Sequence, residues 1–475
     1  MAYYLMNKDV ICTTFDKIGN NWTITGKVDT LPLGQFEINR WLEDRKAYKH
    51  NKHLKKLMID CGCETVEGFI KITHAASIND TYWVKSETES VTWNDVSFYR
   101  NEFNDIVSKL AFEGLGLYGI QMGTTSPELT TDGTFRKCWR KEDDGIYLYK
   151  RGTTGAINAG LEPYCESMAS ELIHVVDPTN VMYETTTLRG KLASRCAAFT
   201  NEDIGFVPLK RMIESWSTLH ELLDFFDLID DVDKFRLMLV MDAVVFNTDR
   251  HFGNLGIRVE NDTQTPLGIA PNFDLNLALL PYVTMDEFKH IGTRLLSYSP
   301  FIGNDFTRLG QKMLTPKIRS ELINLKGFKF SFRGNKVFPE LRVKILEAMI
   351  DRQISAILAN GKLYTTDVFV PESQPEPVSI DNTKERAVAA TYASKLKDTG
   401  LFTSVLVGDD ESARVRIVAT IKSGDQYIDI IIQMRDMSMY CEVDGTAASV
   451  EEVSNKHVGF ANAYEQVCRI VDAME

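Results

Sequence analysis

The stretch FNTDRHFGN at 246–254 sets an acid, Asp249, five residues before an amide, Asn254. A second acid, Asp274, follows twenty residues later in NFDLN. Two carboxylates and one amide oxygen are a donor set suited to phosphoryl transfer. That chemistry asks little covalent work of a protein. It needs a carboxylate beside the acceptor hydroxyl, oxygen ligands for magnesium, and a cation against the phosphates. Magnesium keeps several of its waters, so a carboxylate and an amide are sufficient protein ligands. The cation is found upstream. In GIYLYK, period-two alternation puts Ile146, Leu148 and Lys150 on one strand face and Tyr147 and Tyr149 on the other. An ammonium therefore ends an apolar row. Each member of this set also has an ordinary alternative. Turns are rich in Asp and Asn, and a lysine at a strand end commonly lays its stem on apolar surface with its charge in water. Arg250 and His251 suit anchoring the loop, to Asp274 or to carbonyls, better than direct chemistry. The order and flanks of the set give it meaning that no single member has.

Those flanks are the elements that must position the groups. FRLMLVMDAVV, before the loop, is apolar over most of its length and predicts a buried helix. Gly253 discourages its continuation. PLGIA has strand character, so Asp274 falls just past a short hairpin. Asp242 lies among apolar neighbours in the helix, where a carboxylate must be paired. Its expected role is to organise the loop, with Arg250 or loop amides as partner. Residues 118–152 alternate short apolar segments with Gly, Ser, Thr and Asp clusters, which predicts strands. EPYCESMASELIHVV (162–176) predicts a helix, with Pro163 suited to its first turn. Helical spacing dominates 207–362.

The domain organisation read from these patterns is an accessory region or elaboration of a first lobe at 1–117, a β-rich first lobe at 118–206 and a helical second lobe at 207–364. TTDVFVPESQPEPVSIDNTKE, with prolines at 371, 375 and 377, is the clearest linker, placed at 365–384. A small separate domain at 385–475 reads as helix, three or four strands, helix. In class the chain is α+β, two-lobed, with this extra C-terminal α/β piece.

The chain has 475 residues and a formal net charge of -13. That balance makes it a poor general binder of nucleic acid, whose affinity comes from neutralising phosphates, and no direct nucleic-acid binding is expected. KHNKHLKK (49–56) reads as a solvated helix face. The eight cysteines include no C-x-x-C pair, which argues against a zinc or disulfide framework. The start, MAYYLMNKDV, lacks the layout of a signal peptide, and no apolar stretch is long enough for a bilayer span. The expected setting is cytoplasmic, with no membrane contact.

The motifs TSPELTTDGTFRKCW, YLYKRG, EPYCESMASEL, MLVMDAVVFNTDRHFGN and GIAPNFDLN give the region of about 118–360 a further meaning: it resembles the HipA-like serine/threonine kinase family. The resemblance implies a two-lobed protein-kinase-like fold that uses ATP and Mg2+. Asp249 would be the catalytic aspartate that orients the acceptor hydroxyl and receives its proton. Lys150 would be the phosphate-binding lysine, and Asn254 and Asp274 the metal ligands, although this chain has FDL where other kinases have DFG. The partner of Lys150 would be a glutamate of the following helix, Glu162 or Glu166, with Glu162 preferred and the other left as a solvated helix residue. GTTSPELTTDG would cover the phosphates, and Ser126 would be its regulatory phosphorylation site. CAAFTNEDIGFVPL (196–209) would be the hinge. The family association implies a protein substrate with a Ser/Thr acceptor, autophosphorylation, and an antitoxin or other regulatory partner. The DRHxxN pattern with a later Asp is shared with lipid kinases, so a lipid or small-molecule kinase is the first alternative. A nucleotide-binding pseudokinase acting as an interaction module is the second.

Overall fold

Every strand pairing in the computed structural model is antiparallel among the described residues. The structure describes residues 2–47, 58–59, 62–113, 126–131, 133, 135–154, 158–213, 218–295 and 297–359. Towards the C-terminus it describes 390, 393–394, 396–398, 404–409, 415–423, 426–435, 438–443 and 457–459. The proposed linker at 365–384, the basic run at 49–56 and residues 114–125 lie outside these. By contacts the chain divides into two compact units, Met1–Pro371 and Glu372–Glu475.

In the first unit, β1 (Tyr3–Asn7), β2 (Val10–Ile18), β3 (Asn21–Ile24) and β4 (Tyr82–Ser86) form a sheet in the order β3-β2-β1-β4. A tight hairpin with Gly19 at φ 64° joins β2 to β3. Helices α1 (Ile38–Asp44) and α2 (Val66–Thr73) pack on this sheet through Trp41, Leu42, Phe69 and Ile70. The short α3 (Trp93–Val96) and α4 (Asp105–Glu113) lead to a second sheet of β5 (Lys137–Glu142), β6 (Gly145–Arg151), β7 (Glu184–Leu188) and β8 (Lys191–Ala197), in the order β5-β6-β8-β7. The alternation in β6 is realised as two differently packed faces. Ile146 and Leu148 lie against the Trp83 and Trp139 cluster, while Tyr147 and Tyr149 join Phe112 and Cys138.

Between β6 and β7 runs α5 (Glu162–His174), whose first turn holds Pro163. Glu162 and Glu166 are four residues apart on α5 and so share a face, and both are buried. A third sheet, β11-β10-β9, combines β9 (Ile204–Pro208) with the hairpin of β10 (Gly256–Glu260) and β11 (Pro266–Ile269). The remaining helices are α6 (Leu219–Leu228), α7 (Val232–Val244), α8 (Ile291–Leu295), α9 (Phe306–Met313), α10 (Pro316–Asn324) and α11 (Glu340–Leu358). They share one core with α5 and β10. From Met238 to Val244 every residue of α7 is buried, as fits a helix apolar on all sides. Each of its large apolar side chains contributes about 1.5–3 kcal/mol by leaving water. The loop that follows therefore springs from a rigid base.

The second unit contains a five-stranded meander, β12 (Ser404–Asp409), β13 (Val415–Ser423), β14 (Gln426–Arg435), β15 (Ser438–Val443) and β16 (His457–Gly459), paired in sequence order. The fifth strand exceeds the three or four expected. It is three residues long, too short to carry a readable alternation.

Candidate functional site

The groups named from the sequence come from three places: the end of β6, the face of α5, and the two connections that flank the β10–β11 hairpin. Lys150 is 5% exposed. Its ammonium donates to Asp274 Oδ1 at 2.7 Å and forms a close ion pair with Glu166 Oε1. Glu166 has further donors. Ser194 Oγ of β8 donates to its Oε2 at 2.5 Å, and the Leu275 N–H to its Oε1 at 3.3 Å. Glu166 thereby ties β6, β8 and the Asp274 segment to α5. Its carboxylate is sealed at 1% side-chain exposure, whereas that of Asp274 keeps 24%.

Burial pushes the Lys150 ammonium down, but Asp274 and Glu166 outweigh it and hold the amine above its ordinary range. Burial pushes the Glu166 carboxyl up despite the pull of Lys150. Burial also opposes ionisation of Asp274, yet Lys150 and then Lys137 bring it down to about 2. The two acids share one ammonium and shift in opposite directions: at Asp274 the charges of Lys150 and Lys137 outweigh burial, whereas at Glu166 burial and the Asp274 charge outweigh Lys150. Asp249 is pushed up by burial, with the Asp274 charge acting in the same sense against His251 and Arg250.

The Asp249 loop is held by a second cluster. Arg250 donates from Nε to Asp242 Oδ2 at 2.8 Å and from Nη2 to Asp242 Oδ1 at 2.9 Å. Its Nη1 donates to the carbonyls of Asn254 at 2.9 Å and Phe273 at 2.8 Å, and Nη2 also donates to Asn272 Oδ1. Asn247 Nδ2 completes Asp242 at 2.8 Å. One guanidinium thus joins the helix, the Asp249 loop and the segment entering Asp274. Asp242 is paired with Arg250, one of the partners its sequence context suggested. Within the loop, Asn254 Nδ2 donates to the Asp249 carbonyl at 3.0 Å. Gly253 N–H donates to His251 Nδ1 at 3.0 Å, so that nitrogen is engaged as an acceptor. Phe246 at φ 56° and Asp274 at φ 57° are left-handed without being glycine, a conformation that costs on the order of 1 kcal/mol each and is held by its surroundings.

A metal and nucleotide can be tested against these donors. Lys150 bonds both Glu166 and Asp274, Lys137 also acts on Asp274, and Asp249 adds a third carboxylate to the local field. The excess is negative, which suits a divalent cation. Among the described residues no hydrogen bond ends on the Asp249 carboxylate oxygens, Asp274 Oδ2 or Asn254 Oδ1. Among the described residues no group of three or more His, Cys, Asp or Glu gathers into a cage. The set is one carboxylate with one amide, and magnesium's preference for retained water accommodates it.

Two expectations are corrected. Glu162 is not the partner of Lys150, and it is not a solvated helix residue. Its Oε1 accepts from the Thr153 N–H at 3.2 Å, the Thr153 hydroxyl and the Tyr282 hydroxyl at 2.9 Å. Its Oε2 accepts from the Gly160 N–H at 2.9 Å. These donors occupy the carboxylate; Glu166, one turn further along, meets Lys150. Ser126 is not an exposed loop residue either. It is 0% exposed, at the entry to the 3-10 turn Pro127–Thr130, and donates to buried Glu128. Burial pushes the Glu128 carboxyl up. Residues 123–125 of the same loop lie outside the described ones. Two site residues were not read from the sequence. Lys137 pairs in register with Lys150 across β5 and β6, and its charge acts on Asp274. Tyr183 donates no motif, but its hydroxyl accepts the Asp274 N–H at 3.1 Å.

No protein-family model matches the sequence, and no curated protein matches it. Among solved structures, the chain is similar to the Helicobacter pylori proinflammatory kinase CtkA, with 17% identity over 47% of this chain and 93% of that one, at a TM-score of 0.36. It is also similar to HipA of Shewanella oneidensis MR-1, from a toxin–antitoxin complex of HipA, HipB and operator DNA. There the identity is 10% over 80% of this chain and 93% of that one, at a TM-score of 0.40.

Proposed function

We propose that this protein is an ATP- and magnesium-dependent kinase that transfers the γ-phosphoryl group to a serine or threonine of a protein. In this reading β5–β8 with α5 form one wall of a nucleotide cleft, and the helical part with the Asp249 loop forms the other. The observation that carries the proposal is the Lys150 ammonium held between Glu166 and Asp274. It joins a sheet cation, a helix acid and a loop acid, drawn from residues up to 124 apart.

Lys150 would meet phosphate oxygens with its amine fixed in place by Glu166. Asp274, kept ionised by Lys150, and Asn254 would hold magnesium, which when bound neutralises charge on the phosphates. Asp249 would orient the acceptor hydroxyl and take its proton. Its pKa, raised by burial, makes it a better base than an ordinary aspartate. Arg250 keeps the loop carrying Asp249 and Asn254 in register with Asp274.

The test is incubation of the full chain with γ-labelled ATP and magnesium, alone and with a cell extract, followed by phosphoamino-acid analysis. The wild type should label protein on serine or threonine, and Asp249→Asn should lose at least about a hundredfold in rate, within the range for removing a transition-state contact. Equal transfer by both proteins would remove Asp249 from this role. Label appearing only in lipid or small molecules would reject the protein-kinase assignment.

A further inference from the structure

Tyr183 touches both of the charges assigned above to nucleotide and metal. Its ring centroid lies 5.0 Å from Lys150 Nζ, within range of a cation–π contact. Its hydroxyl accepts the Asp274 N–H at 3.1 Å. Its own N–H donates to Ser170 Oγ of α5 at 3.0 Å, so the residue is anchored to the same helix that carries Glu166. Tyr183 is 5% exposed, in an otherwise apolar group with Val181, Cys196, Leu148, Phe199 and Phe273. A phenylalanine would fill that space, and a buried hydroxyl is costly unless it is bonded. The hydroxyl is bonded on one side to the Cys196 thiol and on the other accepts the N–H of Asp274, the residue at φ 57°. That backbone turn directs the N–H of Asp274 to Tyr183 while its carboxylate meets Lys150 and the following N–H meets Glu166.

Resting on the phosphotransfer reading, we propose that Tyr183 is a positioning residue that holds Asp274 in its left-handed, metal-facing conformation. The hydroxyl fixes the peptide and the ring supports Lys150 from behind. Loss of the hydroxyl frees the Asp274 backbone to relax from the left-handed region. The carboxylate then keeps its tie to Lys150 but not its aim. Metal binding suffers, and nucleotide binding through Lys150 does not.

The experiment compares the full-length wild type with Tyr183→Phe, which keeps the ring, and Tyr183→Leu, which removes it. Amide hydrogen exchange is followed on the peptide containing Asp274. Mn2+ uptake is counted by electron paramagnetic resonance in the presence of adenylyl imidodiphosphate, and binding of that analogue is measured with and without metal. In Tyr183→Phe the Asp274 amide should exchange faster. Half-saturation by Mn2+ should rise about tenfold, the equivalent of one buried hydrogen bond, while metal-free analogue affinity stays within about twofold. Tyr183→Leu should weaken metal-free analogue binding as well. A folded Tyr183→Phe protein with wild-type amide exchange and wild-type Mn2+ affinity overturns the proposal. So does a Tyr183→Phe protein whose metal-free analogue affinity falls as far as its Mn2+ affinity, since that marks a general packing role. A wild type that takes up neither analogue nor metal sinks the phosphotransfer reading and this role with it. A wild type that binds both, matched by Tyr183→Phe, sinks this role alone.

Discussion

Arg250 and Lys150 are both buried cations held by carboxylates, and they differ in what is left open. Around Arg250, the Asp242 carboxylate is 1% exposed and both its oxygens are bonded, while the guanidinium fork is shared among one acid, one amide and two carbonyls. Around Lys150, one acid is sealed, and the other keeps a quarter of its side-chain surface and one oxygen without a described donor. A closed cluster has no place for a further ligand and acts as scaffold. A cluster with one solvated acid and a surplus of negative charge can receive a cation. The two are linked through the Phe273 carbonyl, which accepts from Arg250 one residue before Asp274, so the scaffold sets the position of the open cluster.

The largest expected effect breaks the closed cluster. Asp242→Ala leaves Arg250 buried without its acid and should cost about 3–5 kcal/mol of stability, as for other broken buried ion pairs. Thermal unfolding checks this, and a normal melting temperature together with normal phosphotransfer would reject the scaffold role. Breaking the open cluster should act on rate more than on stability. Lys150→Met should reduce phosphotransfer by about 10²–10³, on the scale of losing one preorganised electrostatic contact, with a smaller change in melting temperature than Asp242→Ala. The reverse ranking of the two melting temperatures would dissolve the contrast between clusters.

Glu162→Gln sharpens the comparison from the same helix. Glu162 accepts four hydrogens and meets no cation. The amide that replaces one oxygen must face a donor, which should cost about 1–3 kcal/mol in thermal unfolding while changing nucleotide affinity less than Glu166→Gln does. Equal losses of nucleotide affinity would restore Glu162 to the binding set. The smallest effect concerns pH. Asp249 serves as its anion, and burial raises its pKa. The acid limb of the rate profile should therefore lie above the ordinary aspartate value of about 3.9, with activity falling as pH drops through it. Asp274 has the opposite sign. Its depressed pKa supports folding above about 3.9, and that contribution is lost as pH falls towards about 2. A rate that stays flat to the ordinary aspartate range would contradict the raised value at Asp249.

Much of this arrangement was legible because local pattern and burial agree. The apolar run into Asp242 required a paired carboxylate, and Arg250 eight residues on was among the partners within reach. Alternation in β6 set Lys150 on the face of Ile146 and Leu148. The choice between Glu162 and Glu166 was not legible. Both lie on one face of α5, and only the depth at which the helix passes β6 and β8 decides which reaches Lys150. Ser126 looked like a loop residue by composition, but a 3-10 turn and a carboxylate two residues away bury it. Tyr183 carries no local signal at all, since its partner is 91 residues distant. Lys137 was readable only through the register of β5 on β6. Short strands such as β16 fall below the length at which alternation can be recognised.

The most direct test of the central claim is an equilibrium titration of ATP, with and without magnesium, into the wild type and Asp274→Asn. The wild type should bind ATP and bind it more tightly with magnesium, and Asp274→Asn should retain the metal-free affinity to within a few-fold while losing most of the magnesium enhancement, by about tenfold or more. A variant that keeps the full response to magnesium, or a wild type that shows no affinity for ATP under either condition, would contradict the account.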